Sequence, residues 1–189
     1  MDFKLTEEQE LIRQNMREFC KKYVDPIAVE IDENSRHPAE LFQKLAEGDW
    51  MGIPIPQEYG GAGADQLTFV IAVEELSRSC ASTGFTISTH AGIVCMMLLL
   101  FGTEDQKKKF LIPLAKGPHL GAFALTEPGA GTDVMAATTT AIIDGNDYVI
   151  NGTKTFTSNG PTAETYLVFA WTDKAAGRKG MSTFIVHRS

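Results

Sequence analysis

Residues 121–133, GAFALTEPGAGTD, hold the combination of groups in this sequence that points most directly to chemistry. A short apolar strand opens into a turn at residues 128–131, which contains two glycines. Because glycine has no Cβ, the N–H groups of such a turn can approach a ligand and form an anion-binding nest. Thr126 and Thr132 add a hydroxyl on each side of the turn. The stretch therefore predicts a site for an anionic group at the end of a strand.

A second segment, residues 155–160 (TFTSNG), supplies an aromatic ring at Phe156 and hydroxyls at Thr157 and Ser158. If the sheet brings this segment beside residues 121–133, the combined set suits a flat heteroaromatic cofactor with a phosphate tail. The ring can stack on the cofactor, the hydroxyls can bond its heteroatoms, and the turn amides can bind pyrophosphate. An ordinary hairpin with polar turn residues has the same composition, so both interpretations stay open on composition alone.

Other arrangements of reactive side chains in the sequence do not fit a known catalytic or metal site. The four histidines lack metal-ligand spacing, and the GxSxG and HExxH motifs are absent. Adjacent residues such as Glu74 and Glu75 do not share a helix face, so they are not a carboxylate pair. We therefore assign no catalytic residue and no metal.

Composition narrows the partners and the compartment. The formal net charge of −7, without a basic stripe, argues against binding to nucleic acid or to an anionic membrane. Three cysteines without CxxC pairing indicate a reducing compartment. No secretory signal precedes the first helix, and the longest apolar run, residues 93–101, is too short to span a bilayer. A cytoplasmic location is predicted.

The elements that must position these groups fall into two blocks. Helical spacing predicts helices that begin at Thr6, at Pro38, near Asp65, at Ala81 and at Thr103, the last of them ending near Ala115. Small and hydroxylated residues early in the fourth helix fit either close helix packing or a slot for an apolar ligand.

After Leu120 the pattern changes to strands, predicted over residues 138–143, 148–151, 155–158, 165–172 and 181–187. The fold class is thus α+β, with an all-helical domain over residues 1–118 followed by an antiparallel β-domain over residues 119–189. That β-domain looks truncated, and an incomplete sheet has an unpaired edge.

Residues 123–133 and 151–160 resemble the two flavin-binding segments of the acyl-CoA dehydrogenase family. Residues 5–9, 56–61 and 101–107 resemble the helical domain of that family, in the same order. The resemblance covers essentially the whole chain and is closest to short-chain, butyryl-type enzymes. It implies a helical domain, a middle β-domain and a C-terminal helical bundle, with FAD bound between them.

The resemblance also implies the cofactor contacts. They fall on Phe123, Leu125, Thr126, Gly131, Thr132, Phe156, Thr157 and Ser158. The Leu125 backbone would contact the flavin pyrimidine edge, and the Thr126 hydroxyl would lie near the reactive ring nitrogen. Thr132, with Gly131, would hold the pyrophosphate and would also lie near the substrate thioester. Many relatives have Trp in place of Phe156 and Ser in place of Thr132.

The implied reaction is α,β-dehydrogenation of an acyl-CoA in fatty acid metabolism, with electrons passed to an electron-transfer flavoprotein. The family's base is a Glu from beyond the middle domain, and the resemblance gives Glu127 a structural role. We therefore expect the N-terminal portion of an enzyme, inactive alone, that is a homo-oligomer when complete or is completed by a second chain. The alternatives are a non-catalytic interaction module and a flavin oxidase or monooxygenase on the same fold.

Overall fold

The computed structural model describes residues 4–188, which divide into two compact units between His119 and Leu120. The first unit is built from helices and the second contains a five-stranded sheet. A helical block followed by a β block confirms the predicted α+β class.

The helical unit contains helices that mostly begin where the sequence predicts. Their bounds are α1 Glu7–Phe19, α2 Ala28–Glu33, α3 Ala39–Glu47, α4 Gln66–Ser79, α5 Ala81–Thr89, α6 Met96–Phe101, α7 Glu104–Gln106 and α8 Ile112–Lys116. Segments of π-helix extend α1 over Cys20–Val24, join α5 to α6 over His90–Cys95, and join α7 to α8 over Lys107–Leu111. The predicted capping boxes at Thr6 and Thr103 are both present.

The fourth predicted helix is continuous from Ala81 to Phe101 and runs through the core. Ile87, His90 and Val94 on it are fully buried. The His90 Nε2 lies 3.2 Å from the Leu114 carbonyl oxygen, and burial lowers the pKa of His90 to about 4. The helix has 21 residues, and an 18-residue window within it has a mean hydropathy of 1.8, which meets the length and composition of a membrane span. A soluble core helix meets the same criteria, so this property does not distinguish the two.

The β unit is organised around one strand. The strands are β1 Gly121–Ala124, β2 Thr140–Asp144, β3 Asp147–Asn151, β4 Thr165–Trp171 and β5 Met181–His187. Strand β5 pairs antiparallel with the whole of β4, while β1 pairs parallel with its first four residues. Strand β2 meets β4 in parallel at Thr140 and Trp171, and β3 pairs antiparallel with β2.

The sheet is therefore mixed, and the prediction that the β-domain is antiparallel was wrong for the pairing of β1 and β2 with β4. Turn signals such as Asp144-Gly145, where Gly145 has φ +63°, report local hairpins like β2–β3. They do not report the pairing of β1 with β4, because a parallel pair requires a long connection rather than a turn. The β2–β3 hairpin lies within that connection.

The strand order also places the predicted site. Because β5 occupies one edge of β4, β1 and β2 must share the other edge. The chain between them, residues 125–139, leaves the sheet at the end of β1. The Gly-rich turn lies in this excursion.

The predicted strand over residues 155–158 does not form. Phe156 and Asn159 have φ of +52° and +62°, in the left-handed region, which is incompatible with an extended strand. The segment is an irregular loop instead.

Close packing of α4 and α5 gives a prediction about Gly84. A Cβ at Gly84 would collide with the Ser77 hydroxyl and lie 2.9 Å from the Ser77 backbone nitrogen. We expect Gly84→Ala to lower the free energy of unfolding by about 1–3 kcal/mol through overpacking, measured by urea unfolding. Phe85→Ala, which truncates the 60% exposed neighbouring side chain, should cost less than about 0.5 kcal/mol. Equal effects of the two substitutions would contradict the packing argument.

Candidate functional site

The two segments that the sequence singles out lie side by side in the β unit. The Thr155 N–H donates to the Thr126 carbonyl at 2.9 Å, and the Lys154 ammonium donates to the Leu125 carbonyl, also at 2.9 Å. Farther along, the Asn159 side-chain amide donates to the Gly121 carbonyl at 3.0 Å. The juxtaposition on which the cofactor hypothesis depends is therefore present.

Glu127 anchors the turn from inside the protein. Its residue is 4% exposed, and its Oε1 lies 2.8 Å from the Lys154 Nζ. The Thr138 N–H and hydroxyl donate to Oε2 at 2.6 and 2.7 Å, and the Thr139 N–H donates to Oε1 at 3.0 Å. Burial by itself raises the pKa of the Glu127 carboxyl, but these donors outweigh burial and hold that pKa well below its usual range. A carboxylate held ionised by four donors is a structural anchor and a poor proton acceptor.

The Gly-rich turn leaves room on its outer side. Glu127 and Ala130 exchange two backbone hydrogen bonds of 3.0 Å, which closes the turn. A Cβ built on Gly129 or on Gly131 would meet no atom within 4 Å. Among residues 4–188, the N–H groups of Gly131 and Thr132 have no protein acceptor. Exposed, unpaired amides beside open space are the features that an anionic group would bind.

Hydroxyls and apolar groups complete the surface of the two segments. The side-chain hydroxyls of Thr126, Thr132, Thr157 and Ser158 make no hydrogen bond within the described part of the chain. Phe123 lies on β1, half-buried, with its ring 5.1 Å from the Phe169 ring in an edge arrangement. Leu125 is half-buried at the point where the chain leaves β1.

Phe156 is the residue most poorly accounted for by the fold itself. The residue is 91% exposed, and its φ of +52° is a left-handed conformation that costs a bulky residue free energy. Strained residues that present a large apolar group to solvent are concentrated at ligand sites. The structure therefore places an aromatic ring where a flat ligand can cover it.

The sequence interpretation missed three residues that hold the two segments in place: Lys154, Thr138 and Thr139. Each acts through a contact with a distant part of the chain, such as the 27-residue separation of Lys154 and Glu127. Only Lys154 carried a usable signal, because a charged residue directly precedes a segment of small hydroxylated residues and must be paired if it is buried.

In the helical unit, the hypothesis of a ligand slot in the fourth helix is less well supported than close packing. Thr83 and Gly84 are buried, and Gly84 lies against Ser77 of α4. Glu75 is buried and engaged, with Arg17 nitrogens at 2.8 and 2.9 Å from its carboxylate oxygens. Within residues 4–188 no group of three His, Cys, Asp or Glu side chains is arranged to hold a metal ion.

Comparisons with known proteins fit this geometry. Residues 6–118 match the family "Acyl-CoA dehydrogenase, N-terminal domain", and residues 122–189 match "Acyl-CoA dehydrogenase, middle domain". The chain is 52% identical over 188 residues to "Acyl-CoA dehydrogenase, short-chain specific" of Clostridium acetobutylicum. The alignment covers 100% of this chain and 50% of that protein.

Two solved structures are also similar. A chain in the structure of the electron transferring flavoprotein of Acidaminococcus fermentans aligns with a TM-score of 0.96 and 46% identity, covering 100% of this chain and 50% of that one. Butyryl-CoA dehydrogenase from Megasphaera elsdenii aligns with a TM-score of 0.93 and 39% identity, covering 99% of this chain and 50% of that one. The chain thus spans about half the length of the relatives it matches.

The strain at Phe156 can be measured in the chain without ligand. Replacing Phe156 by Gly removes a left-handed penalty of about 1–2 kcal/mol and adds an unfolded-state entropy cost of about 0.5–1 kcal/mol. We expect Phe156→Gly to raise the free energy of unfolding by up to about 1 kcal/mol in urea unfolding. Thr153→Gly, at an exposed neighbour without positive φ, should be destabilising. Equal destabilisation by Phe156→Gly and Thr153→Gly would show that the backbone at Phe156 is not strained.

The low pKa of Glu127 gives stability a defined pH dependence. The unfolded state takes up a proton at about pH 4.3, whereas the folded state resists it, so the stabilisation is complete above that pH and declines below it. We expect the difference in unfolding free energy between the wild type and Glu127→Gln to be largest at pH 7. It should narrow progressively between pH 5 and pH 3 in denaturant titrations. A difference that is constant over this range would show that the Glu127 charge contributes nothing.

Proposed function

This chain belongs to the acyl-CoA dehydrogenase family, and we propose that it is the N-terminal portion of an FAD-dependent, short-chain acyl-CoA dehydrogenase. Residues 1–118 are then the N-terminal helical domain, and residues 119–189 are the first part of the middle β-domain. The observation that carries the proposal is the hydrogen-bonded contact between residues 125–126, which lead into the Gly-rich turn, and the loop over residues 154–159.

The groups on these two segments fit FAD. The unpaired amides of Gly131 and Thr132 suit the pyrophosphate, and the exposed ring of Phe156 suits one face of the flavin. The remaining proposed contacts are Phe123, Leu125, Thr126, Thr157 and Ser158. Their hydroxyl and backbone groups can donate to the ring heteroatoms, while the apolar side chains exclude water.

When bound, FAD supplies the hydride acceptor for α,β-dehydrogenation of an acyl-CoA thioester. The residues of this chain bind and orient the ring, and the proposed position of the Thr126 hydroxyl is near its reactive nitrogen. Thr132 would hold the pyrophosphate and face the substrate. Orientation of this kind accelerates a reaction because it removes the entropic cost of aligning the reactants.

The catalytic base is proposed to come from outside this chain. Glu127 is committed to Lys154, Thr138 and Thr139, and the Asp133 carboxylate accepts the Met135 N–H at 3.1 Å. A carboxylate from the other half of a complete protein would remove the α-proton of the substrate. The isolated chain is accordingly proposed to be inactive.

The partners follow from the same proposal. Acyl-CoA is the substrate, an electron-transfer flavoprotein is the electron acceptor, and the complete protein is a homo-oligomer or is completed by a second chain. A cytoplasmic location agrees with cysteines that are all free.

The test uses the complete protein that contains this chain. We expect it to purify with a flavin absorption spectrum, or to acquire one with added FAD, and to oxidise butyryl-CoA with an electron-transfer flavoprotein or an artificial acceptor. Thr132→Val should weaken FAD binding by about 5–30-fold through a lost hydrogen bond, corresponding to about 1–2 kcal/mol. Thr132→Ser keeps the hydroxyl and should bind FAD normally.

A colourless protein that cannot be reconstituted with FAD would reject the proposal in favour of an interaction module. Flavin that binds but reacts rapidly with oxygen on reduction, without dehydrogenating butyryl-CoA, would favour an oxidase or monooxygenase. Equal FAD affinities for the Val and Ser variants would remove Thr132 from the site.

A further inference from the structure

The loop over residues 154–159 binds the Leu125 carbonyl, which precedes Thr126, and the carbonyl of Thr126 itself. The Lys154 ammonium lies 2.9 Å from the Leu125 oxygen, and the Thr155 N–H donates to the Thr126 oxygen, also at 2.9 Å. The peptide planes before and after Thr126 are therefore fixed by consecutive residues of the second segment. Thr126 is one of the proposed flavin contacts, so these bonds fix the orientation of its N–H and its hydroxyl toward the ring.

The contact of Lys154 with Leu125 differs from that of Thr155 with Thr126 because the donor is a charged ammonium group. The Lys154 side chain is 11% exposed and the Glu127 side chain is 3% exposed, so the pair is largely removed from water. In such surroundings the effect of a charge extends farther than it does in solvent. Within residues 4–188 the other donors to the Glu127 carboxylate are the neutral groups of Thr138 and Thr139. Glu127 and Lys154 therefore balance each other directly behind the Thr126 peptides.

The ammonium also acts through the backbone. A cation on the Leu125 oxygen polarises the amide that joins Leu125 to Thr126, and this strengthens the donor character of the Thr126 N–H. Glu127 holds the ammonium in place and cancels its field at longer range. One pair thus controls both the position of the peptide and the net charge beside it.

We propose that the Glu127–Lys154 pair is a positioning and charge-balancing unit that sets the reduction potential of the bound flavin. This inference rests on the proposed function. Reduction by two electrons with uptake of one proton leaves the ring with one additional negative charge. An uncompensated ammonium nearby favours that form, and an uncompensated carboxylate opposes it.

Two substitutions that break the same pair should therefore shift the potential in opposite directions. In the complete protein loaded with FAD, Glu127→Gln leaves Lys154 unbalanced and should move the reduction equilibrium about tenfold toward the reduced form. For a two-electron couple this equals a rise of about 30 mV. Lys154→Met leaves Glu127 unbalanced and should shift the equilibrium in the other direction at pH 8. The double variant should return to within about threefold of the wild type.

The measurement is spectrophotometric equilibration of the bound flavin with a reference redox dye, so it does not depend on turnover. Lys154→Arg keeps the charge and should keep the wild-type potential. Asn159→Gly is the neutral control, because it removes the bond to the Gly121 carbonyl and keeps a residue that tolerates φ +62°. It should leave the potential unchanged even where it lowers stability.

A flavin reduction potential that rises in Glu127→Gln and returns toward the wild-type value in the double variant would support the proposal. Shifts of the same sign in the two single variants, or an unchanged potential in Glu127→Gln, would overturn it. If Glu127→Gln does not retain flavin, the proposal is tested by comparing the flavin potentials of Lys154→Met and Lys154→Arg. Equal potentials in these two variants would also overturn the proposal. A wild-type protein that binds no flavin would instead reject the proposed function.

Discussion

The ion pair between Glu127 and Lys154 is the interaction on which the candidate site depends. It joins a turn that follows β1 to a loop that follows β3, two segments that no strand ladder connects directly. A buried pair of this kind adds modest net stability, because desolvation offsets much of the Coulombic attraction. Removing one member is costly, however, since it leaves a buried charge without compensation. The pair therefore acts mainly as a constraint that specifies one arrangement of the two segments.

The sheet supplies the second constraint. Strand β4 has β5 along one edge and both β1 and β2 along the other, so the chain between β1 and β2 must leave the sheet. Backbone that leaves a sheet loses its ladder partners and must find others. In residues 125–139, part of that demand is met by the Glu127 carboxylate, which accepts the Thr138 and Thr139 N–H groups. Within residues 4–188 the amides of Gly131 and Thr132 have no protein acceptor, and on the proposed function they are the groups that bind the pyrophosphate.

Local features were predictable because a few neighbouring residues determine them. The capping boxes at Thr6 and Thr103 depend on residues three positions apart, and the β2–β3 hairpin depends on Gly145, which adopts the positive φ its turn needs. The continuous helix from Ala81 to Phe101 follows from its apolar composition. The direction of β1 relative to β4 was mispredicted, because parallel pairing depends on the path of the intervening chain.

The sequence by itself determined the family, the order of a helical and a β block, and the two segments that carry the hydroxyls, glycines and aromatic ring. Side-chain chemistry and short-range spacing suffice for these. Only the tertiary structure decided that the segments touch, that Glu127 is an anchor, and that Phe156 is left-handed and exposed. Each of these depends on contacts between distant residues, such as Lys154 with Leu125 and Glu127. Burial, charge compensation and backbone strain arise from such contacts, and no local window of sequence contains both partners.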